Sequence, residues 1–370
     1  MSFILQEMLL EPHRVPGLAP GQFNQLIPQG RSSRLLASLA LELEEAGLLE
    51  QVPAPVRRHM DSAVLVHEKQ KRDLAYDTGK IQAALTSIGE KLILLKGGAY
   101  LMAGLPVSRG RLISDIDIIV PRHRIEEVEK TLNACGWESS YVDSYNERYY
   151  RKWMHEIPPL ANRKRGTTLD LHHTILPPTA AADIDASLLF EDIIEVKPGV
   201  FTLSWRDMVI HSATHLFHEG EFHHGLRDLW DLDHMLRDFP GRDPQFWDNL
   251  VARARQLDLL GPLFHGLTYS QKVFSTPIPP EVLADAGSWS RTLRKPLMDF
   301  LFLRAFRPDQ PECRLPLTGM ALNLLYIRSH YLRMPLYLLV PHLVRKAWMQ
   351  RFGGEQKTPE IEDKKTIKNV

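Results

Sequence analysis

Leu92-Ile-Leu-Leu-Lys-Gly-Gly98, followed by Arg111-Leu-Ile-Ser-Asp-Ile-Asp-Ile-Ile-Val120, decides how this chain folds. The first stretch is a short apolar run that ends in two glycines, the pattern of a buried strand turning into a helix. The second is strongly β-forming and is closed by Pro121. In a strand, residues two apart share a face, so Ile116, Ile118 and Val120 anchor one side while Asp115 and Asp117 stand together on the other. Two such carboxylates repel by roughly 3 kcal/mol at ~5 Å and an effective dielectric near 20. A divalent cation removes that penalty, and Mg²⁺ takes carboxylate oxygens together with substrate phosphates.

A third acid lies downstream in Thr167-Thr-Leu-Asp-Leu-His-His173. Alternation puts Leu169 and Leu171 in the core and Thr168, Asp170 and His172 on the opposite face. If this strand pairs beside Asp115–Val120, three carboxylates converge where two metal ions ~3.5–4 Å apart could sit, as in-line phosphoryl or nucleotidyl transfer requires. Two further Asp-x-Asp pairs, Asp183/Asp185 and Asp231/Asp233, lack this context. They are read as turn and helix-surface carboxylates.

Outward from these strands the pattern is helical. Leu35, Leu36, Leu39 and Leu43 keep helical spacing after a cap at Ser32 or Ser33, and a longer helix is predicted from about 54 to 88. A helix over Arg124–Ala134 is stopped by Gly136, and strands are predicted around Tyr149–Met154 and Thr167–His172. After Pro198-Gly199 helical spacing returns. The fold class is therefore α+β: residues 1–89 helical, a small mixed sheet over 90–200, and helices over 201–352. The charged, Gly-led residues 353–370 are expected to be disordered.

Composition excludes several classes. The 370 residues are 44% hydrophobic, enough to fill a core, and Cys135 and Cys313 are too few for a disulfide scaffold or a multi-cysteine zinc module. Lys+Arg and Asp+Glu balance at 45 each, yet residues 183–248 hold 14 acidic against 5 basic residues and residues 288–351 hold 11 basic against 3 acidic. Arg328, Arg333, Arg345 and Lys346 are read as a basic outer stripe on core helices, with peripheral membrane contact the rarer use. The N-terminal run carries Glu7 and no basic region, and no segment offers ~20 uninterrupted apolar residues. A cytoplasmic location is expected.

His211-Ser-Ala-Thr-His215 places two imidazoles at helical i, i+4 spacing, with His218, Glu219, His223 and His224 behind. Such spacing suits zinc, but the chain has neither an HExxH motif nor a His-Asp dipeptide. The expectation is that this helix buries Met208, Val209, Ala213, Leu216 and Phe217 and lines the cleft opposite the carboxylates.

Taken together, LLKGG, RLISDIDIIV and LDLHH resemble the polymerase-β-type nucleotidyltransferase superfamily, specifically its bacterial branch of poorly characterised nucleotidyltransferases. The shared elements are Lys96-Gly97, Arg111 four residues before the first Asp, Asp115/Asp117, and Asp170/His172. His211, His215 and the stretch Arg227–Leu232 extend the resemblance over most of residues 30–240. It implies that Asp115 and Asp117 hold both Mg²⁺ ions and that Asp170 completes the catalytic one and helps activate an acceptor hydroxyl. It also implies that Lys96, Gly97, Gly98 and Arg111 bind the nucleotide, the glycines cradling the triphosphate at a helix N-terminus. One departure is Gly98, where the superfamily often has Ser.

The function expected is Mg²⁺-dependent transfer of a nucleoside monophosphate from an NTP to an acceptor hydroxyl, with release of pyrophosphate. The acceptor is open: a small molecule, a sugar, RNA or a protein. Two other readings stand beside it, a nucleotide-binding or interaction module with weakened catalysis, and a His-cluster metal hydrolase over residues 211–224.

Overall fold

The computed structural model describes residues 3–139, 150–218, 220–287 and 295–335. Four helices come first: α1 (Ile4–Leu10), α2 (Pro20–Ser32), α3 (Leu36–Glu45) and the long α4 (Ala54–Thr86). The Leu35–Leu43 spacing does form a helix, but neither serine caps it. Leu35 is the N-cap and makes no side-chain cap, while Ser33 closes α2. The reason is Arg34, whose φ of 55° breaks the chain direction between the two helices. In α4 the buried positions Met60, His67, Leu74, Ile81 and Leu85 recur at near-heptad spacing and turn one stripe of the helix inward.

The sheet elements follow: β1 (Leu92–Leu94), α5 (Lys96–Met102), β2 (Asp115–Ile119), α6 (Ile125–Ala134), β3 (Trp137–Ser139), β4 (Leu160–Asn162), β5 (Thr168–His172), β6 (Ile193–Lys197) and β7 (Val200–Leu203). They form one seven-stranded sheet in the order β3-β4-β5-β2-β1-β7-β6. It is mixed, because β2 and β5 run parallel, as do β1 and β7, while β1 and β2 are antiparallel. The remaining chain is helical: α7 (Trp205–His218), α8 (Gly225–Arg242), α9 (Phe246–Gln256), α10 (Leu260–Phe274), α11 (Pro280–Gly287), α12 (Lys295–Ala305) and α13 (Thr318–Arg333). A mixed sheet with helical flanks makes the class α+β.

The strand predicted around Tyr149–Met154 is not one. Tyr149 lies outside the described residues, and residues 150–153 are helical, tied to α6 by a two-pronged pair from Arg151 to Glu129 at 2.8 and 2.9 Å. The strand beside β5 is instead Leu160–Asn162, set by a hairpin turn. There the Asn162 side chain accepts from the backbone N–H groups of Lys164 and Arg165, and Gly166 supplies φ +70°. Asp77 of α4 is fully buried; it accepts from Thr167 Oγ1 at 2.7 Å and pairs with Arg165, pinning this turn to the helical layer.

Arg328 does not belong to an outer stripe. Its guanidinium donates to the Phe217 carbonyl at 2.6 Å and lies 5.4 Å over the Phe302 ring, and burial pushes its pKa down to about 10. Arg333 donates to Ser329 Oγ within α13. Arg345, Lys346 and the stretch 353–370 lie outside the described residues. Among the described residues no helix is long and apolar enough to cross a membrane.

Candidate active site

Asp115 and Asp117 sit on β2 with Ile116 and Ile118 buried on its other face. In the parallel β2–β5 ladder Asp117 is directly in register with Asp170, and Asp115 with Thr168. Adjacent strands lie ~4.8 Å apart, so this register brings the Asp117 and Asp170 side chains alongside each other. The hydrophobic alternation of both strands, Ile116/Ile118 beside Leu169/Leu171, is what fixes it.

Asp117 is 3% exposed and accepts from two neighbours at one oxygen. Lys96 Nζ lies 2.8 Å from its Oδ1, and His172 Nε2 lies 3.0 Å from the same atom. Lys96 reaches it from the junction of β1 and α5, where its backbone adopts φ +45°, a conformation costly for a side chain with a Cβ. Burial works against the Asp117 charge, but the Lys96 ammonium and the His172 hydrogen bond outweigh it and hold the carboxyl well below the usual range.

The other acids go the opposite way. Burial first, then Asp117, Glu156 and Asp115, pushes the Asp170 carboxyl up to about 8. Burial and the Asp117 charge also raise Asp115. Four carboxyl groups therefore crowd a site in which Lys96 is the neighbouring ammonium. That excess of negative charge and hard oxygen donors fits a magnesium ion.

The histidines complete the surroundings. His172 is raised, because the hydrogen bond to Asp117 and the nearby Glu156 outweigh its burial. His155, His211 and His215 are lowered by burial first and then by neighbouring cationic groups, His215 to about 3. α7 buries Met208, Val209, Ala213, Leu216 and Phe217, and its His211 lines a narrow cleft with Leu94, Leu95, Lys96 and Tyr100. Among the described residues His211 and His215 belong to no group of three converging metal-ligating side chains. Glu219 of the stretch 211–224 lies outside the described residues.

Arg111 and the glycine pair lie at the start of α5. Arg111 is buried; its Nε donates to Asp231 Oδ2 at 2.7 Å and its guanidinium lies 5.4 Å over the Tyr100 ring. A Cβ on Gly97 would fall 2.2 Å from Arg111 Nη1, so this glycine makes room for the guanidinium. A Cβ on Gly98 would meet only Leu94 Cδ2, at 3.6 Å, an ordinary contact. Asp231 and Asp233 are both buried rather than on a helix surface, Asp233 accepting from Thr276 Oγ1 at 2.6 Å and Arg237 Nε at 2.8 Å. Asp185 caps the 3₁₀ helix Ala186–Phe190, its carboxylate accepting from the Ser187 backbone N–H at 3.0 Å.

Sequence reasoning passed over Glu156 altogether. It precedes Ile157-Pro-Pro and carries no periodic signal, and its isolated bridge to His172 brings it to the carboxylates. Asp231 had a signal. Asp228 and Asp231 are three apart, on one face of α8, and Arg227 pairs with Asp228 at 2.9 Å beside the Arg111 pair.

A family model described as "Uncharacterised nucleotidyltransferase" matches residues 20–275, well over half of the chain. No curated protein and no solved structure matches it.

Proposed function

The chain belongs to the uncharacterised nucleotidyltransferase family, and we propose that it moves a nucleoside monophosphate from an NTP to an acceptor hydroxyl, releasing pyrophosphate. The observation that carries this reading is the register of Asp117 with Asp170, next to Asp115, on two parallel strands of the sheet. Asp115 and Asp117 would hold two Mg²⁺ ions and Asp170 would complete the catalytic one. When bound, magnesium neutralises the triphosphate and stabilises charge on the attacking and leaving oxygens.

The chain's own residues do the rest. Lys96 and His172 fix the Asp117 carboxylate in place and keep it charged. Asp170 would accept the proton of the acceptor hydroxyl; without a metal, burial and three neighbouring acids push its carboxyl up to about 8, and the cation that it would help to hold is what would keep it ionised. Burial and the nearby Lys96 keep the imidazoles of His211 and His215 neutral, so they would offer N–H donors rather than cations to a nucleotide that reached them. Arg111, engaged by Asp231, holds the β1–α5 junction against α8, and Gly97 is the clearance that this contact needs. Catalysis on this account is positioning and electrostatics.

The test is Mg²⁺-dependent pyrophosphate release from each of the four common NTPs, with and without cell extract as the source of acceptor. Release that disappears with chelator and in Asp115→Asn supports the reading. Tight NTP binding without release, across all extracts, would leave a nucleotide-binding module in its place.

A further inference from the structure

We infer that His155, Glu156 and His172 form a separate divalent-ion site of the zinc type, beside the carboxylates of β2 and β5. These side chains come from two segments joined by the isolated bridge of Glu156 to His172. Each offers a ligand atom, and all three atoms lie within 4.8 Å of one another. His172 Nδ1 is 3.5 Å from Glu156 Oε2, and His155 Nε2 is 3.8 Å from the same oxygen. Ligands bound to zinc at about 2.0–2.1 Å in a tetrahedron stand about 3.3 Å apart, so the two separations to Glu156 close with shifts of about half an ångström or less, and the two imidazoles, within 4.8 Å of each other, draw together by up to about 1.5 Å.

Two further observations point to an ion. The His172 side chain is 2% exposed, yet its Nδ1 makes no hydrogen bond, although a carboxylate oxygen faces it. A buried ring nitrogen without a partner is costly, and coordination would satisfy it. On the other side of the ring, His172 Nε2 is hydrogen-bonded to Asp117. A histidine that donates from one nitrogen to a carboxylate and presents the other to a metal is the usual way proteins orient such a ligand. Ion binding here displaces the Nδ1 proton to solvent.

The donor set selects the ion. Two imidazoles and one carboxylate suit zinc or cobalt and are poor for magnesium, which prefers oxygen donors. Three protein ligands leave a fourth position for water or a substrate oxygen, the pattern of a catalytic rather than a structural ion. The site borders the transfer site, since His172 also holds Asp117, but its three ligands are distinct from Asp115, Asp117 and Asp170, so Co²⁺ binding is tested independently of transfer.

The experiment is a Co²⁺ titration of the full-length, chelator-stripped protein, followed by visible absorption. The expected result is one equivalent bound with the intense absorption of a tetrahedral site, displaced by Zn²⁺ and unaffected by excess Mg²⁺. His155→Ala and Glu156→Gln should each weaken Co²⁺ binding at least tenfold, while the double variant Asp115→Asn/Asp170→Asn keeps the band. Far-UV circular dichroism checks folding, and Glu156→Gln carries the test if His155→Ala unfolds. Absence of the band, unchanged affinity in the folded variants, or loss of the band only in the aspartate double variant would each overturn the site.

Discussion

Arg111 and Asp231 meet in a buried ion pair, Nε to Oδ2 at 2.7 Å, that ties the loop before β2 to the middle of α8. The pair joins residues 120 apart in the chain and sits directly behind the glycines at the start of α5. Removing one partner leaves the other charge buried and unpaired, which costs about 3–5 kcal/mol. Asp231→Ala should therefore lower stability by that amount in urea denaturation. Arg111→Met/Asp231→Leu should lose less than the sum of its single changes. A loss under about 1 kcal/mol for Asp231→Ala would show that the guanidinium finds another partner.

The two glycines should separate cleanly. In Gly97→Ala the new methyl collides with a guanidinium that the Asp231 pair holds in place, so both stability and NTP affinity should fall. Gly98→Ala adds a methyl at ordinary contact distance from Leu94 and should stay within about 1 kcal/mol of the parent. Thermal melts with and without NTP read both effects. Loss of NTP binding in Gly98→Ala at unchanged stability would place this glycine in the phosphate cradle.

Much of the core was legible because its signals are local. The alternation of Ile116, Ile118, Leu169 and Leu171 orients both strands, and their parallel pairing then puts Asp115, Asp117 and Asp170 on one side. Partners across long sequence distances were not legible. Asp231 looked like a surface carboxylate because its partner lies 120 residues earlier, and Arg328 looked solvated because the Phe217 carbonyl it serves belongs to another helix. The missed strand Leu160–Asn162 is too short for periodicity to register, and its only clear marker is the Asn162 turn. His172 was placed correctly on the Asp170 face, but its bond to Asp117 depends on register, which alternation alone does not give.

Asp170 makes stability depend on pH in a direction unusual for a carboxyl group. Its folded-state pKa, about 8, lies above the ordinary 3.8, so between these values the folded state keeps a proton that the unfolded chain has lost. Stability then falls as pH rises through that window, by up to about 1.4 kcal/mol per pH unit for one proton. Asp170→Asn removes this slope. The two proteins should be similar near pH 4, and the variant should be more stable at pH 8 without divalent ions. Millimolar Mg²⁺ should narrow the gap by stabilising the parent more than the variant, which has lost one ligand. Urea titrations at both pH values decide it, and a parent that gains on Asp170→Asn between them contradicts the repulsion.

The most direct test of the account is transfer of label from an α-³²P-labelled NTP to a macromolecule or metabolite in extract, comparing the parent with Asp117→Asn. The amide keeps the shape of the carboxyl group but removes the charge at the centre of the site. The parent should label an acceptor in a Mg²⁺-dependent way, and Asp117→Asn should label it at least about 100-fold more slowly, the scale on which lost transition-state electrostatics act. Labelling by folded Asp117→Asn within tenfold of the parent rate would contradict the assignment of these carboxylates to nucleotidyl transfer.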